Sequence, residues 1–255
     1  MWEYCLNIKI ENSALADKLY LPLEKVMREF GGVITRHEEE GYIKILLAVK
    51  KSNCEKVRQR IAFLIEDVIC CYFKESFLEK YLVLPEYDKI GMSAFKKALL
   101  NFDRETDRYI VRRSLVIEKD LYLDSFFDFR LKSLKNKWLE LVSLSNENKE
   151  YLISGESFID LLKFLVDNLD ICEDEISVVK DEEGYKIFGE NNSLLADNLF
   201  SEENIVSSVI ELSPQKINLY FKEPSKAINL LERIFEERIT INNHIENVKK
   251  FVVAK

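Results

Sequence analysis

Apolar and polar residues alternate from Glu3 to Ile10, with Tyr4, Leu6, Ile8 and Ile10 set against Glu3, Asn7 and Lys9. A period of two is the signature of a half-buried strand. Asn12 or Ser13 then caps a helix to about Phe30, with Leu15, Leu19, Leu23, Val26 and Phe30 on its inner face. Pro22 falls inside that pattern, where it can kink the helix or delay its start, and Gly31-Gly32 stop it. Val33 to His37 and Tyr42 to Val49 read as two strands joined through Glu38 to Gly41, the glycine being free to take a positive backbone angle. A helix from about Asn53 to Tyr81 follows, with Val57, Ile61, Leu64, Val68 and Tyr72 spaced by four and three. It is apolar on more than one side, which predicts a central position, and Pro85 closes this first section.

From Asp88 to Leu144 the pattern is helical: Ala94 to Phe102, Arg104 to Ile117 behind an Asp103 cap, and then Tyr122 to Leu144, the longest clean helical pattern in the chain. At about 100° per residue, Leu123, Phe127, Leu131, Leu134, Trp138 and Leu141 form one inward stripe, with Phe126 on its flank. Arg130 falls between Phe126 and Leu123, which aims its side chain at the apolar surface. Ser145 to Asn148 reads as a loop and Ser157 to Leu169 as a helix. Ile176 to Val179 and Tyr185 to Phe188 form a second hairpin, followed by a helix from Glu202 to Leu212, a strand from Lys216 to Phe221 and a Ser225-capped helix. The two hairpins echo each other, HEEEGYIKI from His37 beside KDEEGYKIF from Lys180, as a weak internal duplication or a common acid-rich turn would. Strands near both ends and helices between them predict an α+β class, antiparallel hairpins packed on a helical middle section. The expected organisation is a strand-helix-hairpin-helix section over 1–84 and a helical body with hairpin, strand and helix over 85–255, or one compact unit of both.

Composition narrows the function classes. At 255 residues and 47% hydrophobic the chain can bury an ordinary core, and seven glycines and four prolines leave little for linkers. Five cysteines, odd in number and without CxxC spacing, read as structural thiols of a reducing compartment. The N-terminus carries Glu3 where a signal peptide would be basic, and the most apolar run, Ile61 to Phe73, is short and broken by Glu66 and Asp67. The expectation is a soluble, cytoplasmic protein with no membrane insertion. The net charge of −8 is uneven, with 17 acidic against 4 basic residues between Ser145 and Ser213. Such an excess argues against general nucleic-acid binding and leaves a basic protein partner as the sharper reading of that half.

Specific chemistry is hard to find. There is no phosphate-cradling loop, no dinucleotide fingerprint, no HExxH and no Cys/His array, so the sequence implies no cofactor, no metal and no catalytic residue. Only His37 and His244 are available for imidazole chemistry. Asp167, Asp170, Glu173 and Asp174 lack the spacing of a calcium loop. Arg112, Arg113, Lys132 and Lys135 are the candidate basic patch, with Asp124 and Asp128 placed to quench it. Arg130 on its apolar stripe needs carboxylate or carbonyl acceptors, with Asp103, Glu105, Asp107 or an acid of the C-terminal half as candidates. It then reads either as a buried salt bridge or as the arginine of a ligand-binding groove.

FDRETDRYIVRRSL from Phe102, DSFFDFRL from Asp124, Trp138 with Leu139-Glu140-Leu141, FIDLLKFL from Phe158 and IFEERI from Ile234 resemble the YtxC-like family of sporulation proteins. The likeness spans Ala94 to Ile239 and contains no catalytic signature. A Lys-, Asn-, Ile- and Glu-rich composition also fits a low-GC, spore-forming bacterium of the Firmicutes. The resemblance implies a cytoplasmic protein linked to endospore formation, with Phe126, Phe127, Arg130 and Trp138 as its core motif or groove. The leading expectation is a non-enzymatic interaction or regulatory factor with a protein partner. The alternatives are an enzyme with a carboxylate-arginine site around Arg130 and, behind it, a nucleic-acid binder.

Overall fold

The computed structural model describes residues 1–83, 88–147, 155–189, 193–195 and 199–242. Pro85, Asn148, His244 and the tail beyond Asn242 lie outside them. The fold is α+β, with two four-stranded sheets, and the chain separates into two compact units that interleave along the sequence. The first takes Met1–Tyr81 and Glu105–Ser143; the second takes Leu82–Arg104 and the chain from Leu144 onward.

In the first unit β1 (Trp2–Lys9) leads through a short 3-10 turn into α1 (Ser13–Glu29), and β2 (Val33–Glu39) and β3 (Tyr42–Val49) form the hairpin. Pro22 is accommodated inside α1. The hairpin turns through Glu40 and Gly41, both at positive φ, the two-residue geometry that matches strand twist. β3 lies between β1 and β2 and is antiparallel to both. Alternation carries Tyr4, Leu6 and Ile8 of β1 and Ile43, Ile45 and Leu47 of β3 into the core, which Leu15, Leu19 and Leu23 of α1 also enter. Gly32 is required where the chain leaves α1, because a Cβ there would lie 2.9 Å from the Ala48 carbonyl oxygen and 2.4 Å from the Met27 side chain.

Two long helices of the sequence pattern are broken in the same way. The expected Asn53–Tyr81 helix is α2 (Cys54–Val68), a π-helical turn at Ile69–Phe73, and α3 (Lys74–Tyr81). The expected Tyr122–Leu144 helix begins as β4 (Asp120–Tyr122), passes through one turn, α6 (Leu123–Ser125), and a π-helical turn at Phe126–Arg130, and resumes as α7 (Lys132–Glu147). Leu131 sits between them at φ −103°, ψ 34°, outside helical geometry. A π turn closes from residue i to i+5, so each residue advances by less than 100° and the phase read from the sequence drifts. Leu123, Phe126, Leu131, Leu134 and Trp138 are buried, but the drift takes Arg130 out to solvent. α7 also runs on through Ser145 to Glu147, where a loop was expected. α5 (Arg104–Ser114) follows a left-handed Asp103, and β4 adds to the sheet parallel to β1, giving the order β2-β3-β1-β4.

The second unit holds α4 (Lys89–Asn101), capped by Asp88 through the amides of Ile90 and Gly91, and α8 (Gly155–Asp167). Its sheet is β5 (Glu173–Lys180), β6 (Tyr185–Phe188), β7 (Pro214–Tyr220) and β8 (Ile239–Asn242), with α9 (Glu202–Leu212) and α10 (Lys226–Phe235) as the parallel crossovers. Ser225 caps α10, accepting from the amide of Ile228. The order is β6-β5-β7-β8. The two hairpins therefore join their sheets differently: the second strand is the inner one in β2-β3, the first in β5-β6. Their likeness is one of turn chemistry.

Candidate functional site

The most tightly assembled set of charged side chains in the first unit is centred on Asp107, not Arg130. Asp107 lies on the same face of α5 as Val111, one turn on, and both are fully buried. Its Oδ2 accepts from Lys74 Nζ at 2.8 Å and from the Trp138 indole Nε1 at 3.0 Å, while Oδ1 accepts from Lys137 Nζ at 2.7 Å. Lys74 is the first residue of α3, directly after the π turn, and is 1% exposed. Burial pushes its ammonium below the usual lysine range, against the opposing pull of the Asp107 carboxylate. The neighbouring Cys70 thiol is pushed up to about 12, mainly by burial.

Two further ion pairs join α5 to α2. Arg112 forks onto Glu66, Nε to Oε1 at 3.0 Å and Nη2 to Oε2 at 2.7 Å. Arg108 spans Asp67 at 3.2 Å and Glu105 at 3.0 Å. Asp107, Arg108 and Arg112 thus form a ladder of charges that fixes α5 against α2 and α3. Bidentate guanidinium pairs add direction as well as energy.

Aromatic rings close the other side of the cluster. Trp138 packs against Phe77 at 5.5 Å and Phe127 at 6.0 Å, and Phe127 meets Phe73 at 4.5 Å. The two π turns therefore meet through Phe73 and Phe127. Lys135 lies over the Phe127 ring at 5.2 Å and donates to the Asp128 carbonyl at 2.8 Å and its carboxylate at 3.4 Å. Asp124, also buried, accepts from the amide of Lys9 at 2.9 Å and from the Asn12 side chain, which ties the end of β1 to α6.

Of the residues singled out in the sequence, Phe126, Phe127 and Trp138 belong to this region as packing residues. Arg130 does not: it is exposed, and none of the candidate acids pairs with it among the described residues. In the basic patch Arg112 is held by Glu66 and Lys135 by Asp128, while Arg113 and Lys132 are exposed. Asp167 is drawn into a pair with Arg238 at 3.2 Å, away from the other acids of its stretch. Lys74 escaped the sequence reading. The available signal was helical spacing, since Cys70, Lys74 and Leu78 are buried at intervals of four, as are Asp107 and Val111.

The model of the YtxC-like family matches residues 61–240. The chain belongs to the YtxC-like family. The matched region contains Glu66, Lys74, Asp107, Asp124 and Trp138, so the whole charged cluster lies within this YtxC-like segment, and β1, β2 and β3 lie outside it. Membership fits a protein related to sporulation. No curated protein matches the chain. No helix of the described residues is long and apolar enough to cross a membrane.

Proposed function

We propose that this YtxC-like protein is a cytoplasmic, non-enzymatic factor of the sporulation programme that acts by contacting another protein. The observation that carries the reading is the split within DSFFDFR. Phe126 and Phe127 turn inward, while Asp128, Phe129 and Arg130 are exposed on the same π turn, Phe129 at 70%. An exposed large aromatic beside a guanidinium, anchored to a rigid buried cluster, has the composition of an interface centre rather than of ordinary surface. Against a carboxylate-arginine enzyme stands the closure of Asp107, whose two oxygens already accept from three protein donors.

The test is affinity capture from sporulating cells with wild type and with the pair Phe129→Ser and Arg130→Glu, alongside spore counts. The expected result is a protein retained by wild type and lost by the variant, with fewer spores. Identical recoveries from the two baits, with unchanged spore counts, would remove this surface from the function.

A further inference from the structure

Among the described residues β2 is the longest strand at a sheet edge. β4 has three residues and β8 four, and β6 is bridged by Leu194 and Phe200. β2 pairs with β3 along its whole length without a bulge, and it holds no proline. The two-residue turn makes Glu39 and Tyr42 a hydrogen-bonded pair, and such pairs alternate along an antiparallel ladder. The main-chain N–H and C=O groups of Ile34, Arg36 and Glu38 therefore point away from β3, and they make no hydrogen bond among the described residues. A row of this kind is a template for a further strand.

Native edges are guarded by charges set on the inward face. Arg36 and Glu38 stand in that place, across from Ile45 and Ile43, both fully buried. Arg36 holds Asp17 of α1, whereas Glu38 is exposed and pairs with no cation among the described residues. An unrelated apolar strand would leave both charges facing apolar side chains. A second copy of β2, running antiparallel, would not. Opposed residues of an antiparallel pair share a face, so a two-fold axis at His37 sets Arg36 of each chain opposite Glu38 of the other. The same two residues carry outward main-chain groups, which pair in this register. A guanidinium has donors enough to keep Asp17 and to take Glu38 as well.

The neighbouring registers lack this match. An axis at Arg36 opposes two guanidinium groups, and an axis at Thr35 puts Arg36 opposite Ile34 and leaves Glu38 without a cation. On the outer face the favoured register sets Thr35 opposite Glu39, which keeps Lys44 at 2.6 Å. There His37 meets its own copy, with Glu39 at 3.7 Å and Lys44 across the ladder. We propose that the chain self-associates through β2, joining two four-stranded sheets edge to edge with reciprocal Arg36–Glu38 pairs. The contact is small, so the dimer is weak, with a dissociation constant on the order of 10–100 µM. The proposal does not rest on the Phe129 surface.

The test is sedimentation velocity of the full chain. The weight-average mass should rise toward twice that of the single chain between about 10 µM and 1 mM. Glu38→Arg, at a position exposed and unpaired in the single chain, should weaken association at least about tenfold, because like charges then stand opposed. Arg36→Glu should do the same, and an equimolar mixture of the two variants should associate about as well as wild type, each supplying the charge that the other lacks. Urea midpoints followed by tryptophan fluorescence check that each variant is folded; should Arg36→Glu be unstable beside Asp17, Arg36→Gln should still weaken association severalfold. His37→Cys should give, on mild oxidation, a dimer joined through position 37, since Cα atoms of a non-hydrogen-bonded pair lie about 4.5 Å apart, within disulfide reach. Thr35→Cys should not. A mass that stays monomeric up to about 1 mM, Glu38→Arg associating like wild type, a mixture no better than its components, or cross-linking through position 35 as readily as through 37 would each overturn the proposal.

Discussion

Replacing Asp107 by Asn removes one charge and almost no volume, so its effect isolates the electrostatics of the buried cluster. The carboxylate accepts from Lys74, Lys137 and Trp138. An amide has one oxygen to offer and brings two N–H donors toward groups that themselves donate. Lys137 is partly exposed and can turn toward water, whereas Lys74 is 1% exposed and cannot. Removing the anion of a buried pair costs about 3–5 kcal/mol. Lys74 can escape part of that cost by releasing its proton, at about 1.4 kcal/mol for each unit between its folded pKa and the solution pH.

The sign of the pH effect follows. The folded Lys74 pKa is already lowered, and Asp107→Asn lowers it further by removing the charge that opposes burial. Between that folded value and about 10.4, the unfolded chain holds a proton that the folded chain does not, so stability rises with pH. The variant should therefore lose about 3 kcal/mol or more at pH 7, and the gap to wild type should narrow toward pH 10. Trp2 and Trp138, the two tryptophans of the chain, both lie in the first unit, so urea melts followed by their fluorescence report that unit directly. A loss under about 1 kcal/mol, or a gap that does not change with pH, would refute the account of Lys74 as a buried charge held by Asp107. Adding Lys74→Met to the variant should recover much of the loss, because a well-packed apolar replacement of a buried pair is often neutral.

Arg130→Ala should change the same melt by no more than about 0.5 kcal/mol, as for surface substitutions elsewhere, since Arg130 is exposed and unpaired among the described residues. A loss of several kcal/mol would show that it is buried in solution. Thiol labelling with a disulfide reagent at pH 8 should modify Cys172 first, because it is exposed. Cys70 should react only on unfolding, being buried and held at about 12; mass spectrometry of tryptic peptides at early times reads the order.

Local signals placed the strands and the hairpins well. β1, β2-β3 and β5-β6 follow from alternation and from glycine-bearing turns, and both depend on neighbours in sequence. The helices were legible in position but not in winding. At Ile69–Phe73 and Phe126–Arg130 the chain takes a wider turn, which composition does not announce, because a phenylalanine or a cysteine sits as readily in an α turn. That local change of phase is why Arg130, inward at 100° per residue, is outward in the fold. β4 and β8 were missed because they are short and no glycine-bearing hairpin turn marks them, as one marks the equally short β6; their partners, 115 residues away for β4 and on the far side of a crossover for β8, supply the pairing.

The sequence by itself determined the α+β class and the family resemblance, because periodicity and composition act over a few residues. Only the tertiary structure decided which charge is buried and what holds it. Asp107 meets Lys74 across 33 positions and Trp138 across 31. No local pattern encodes such distances, and the preference of a buried carboxylate for any nearby donor becomes a specific pair only when the helices are packed.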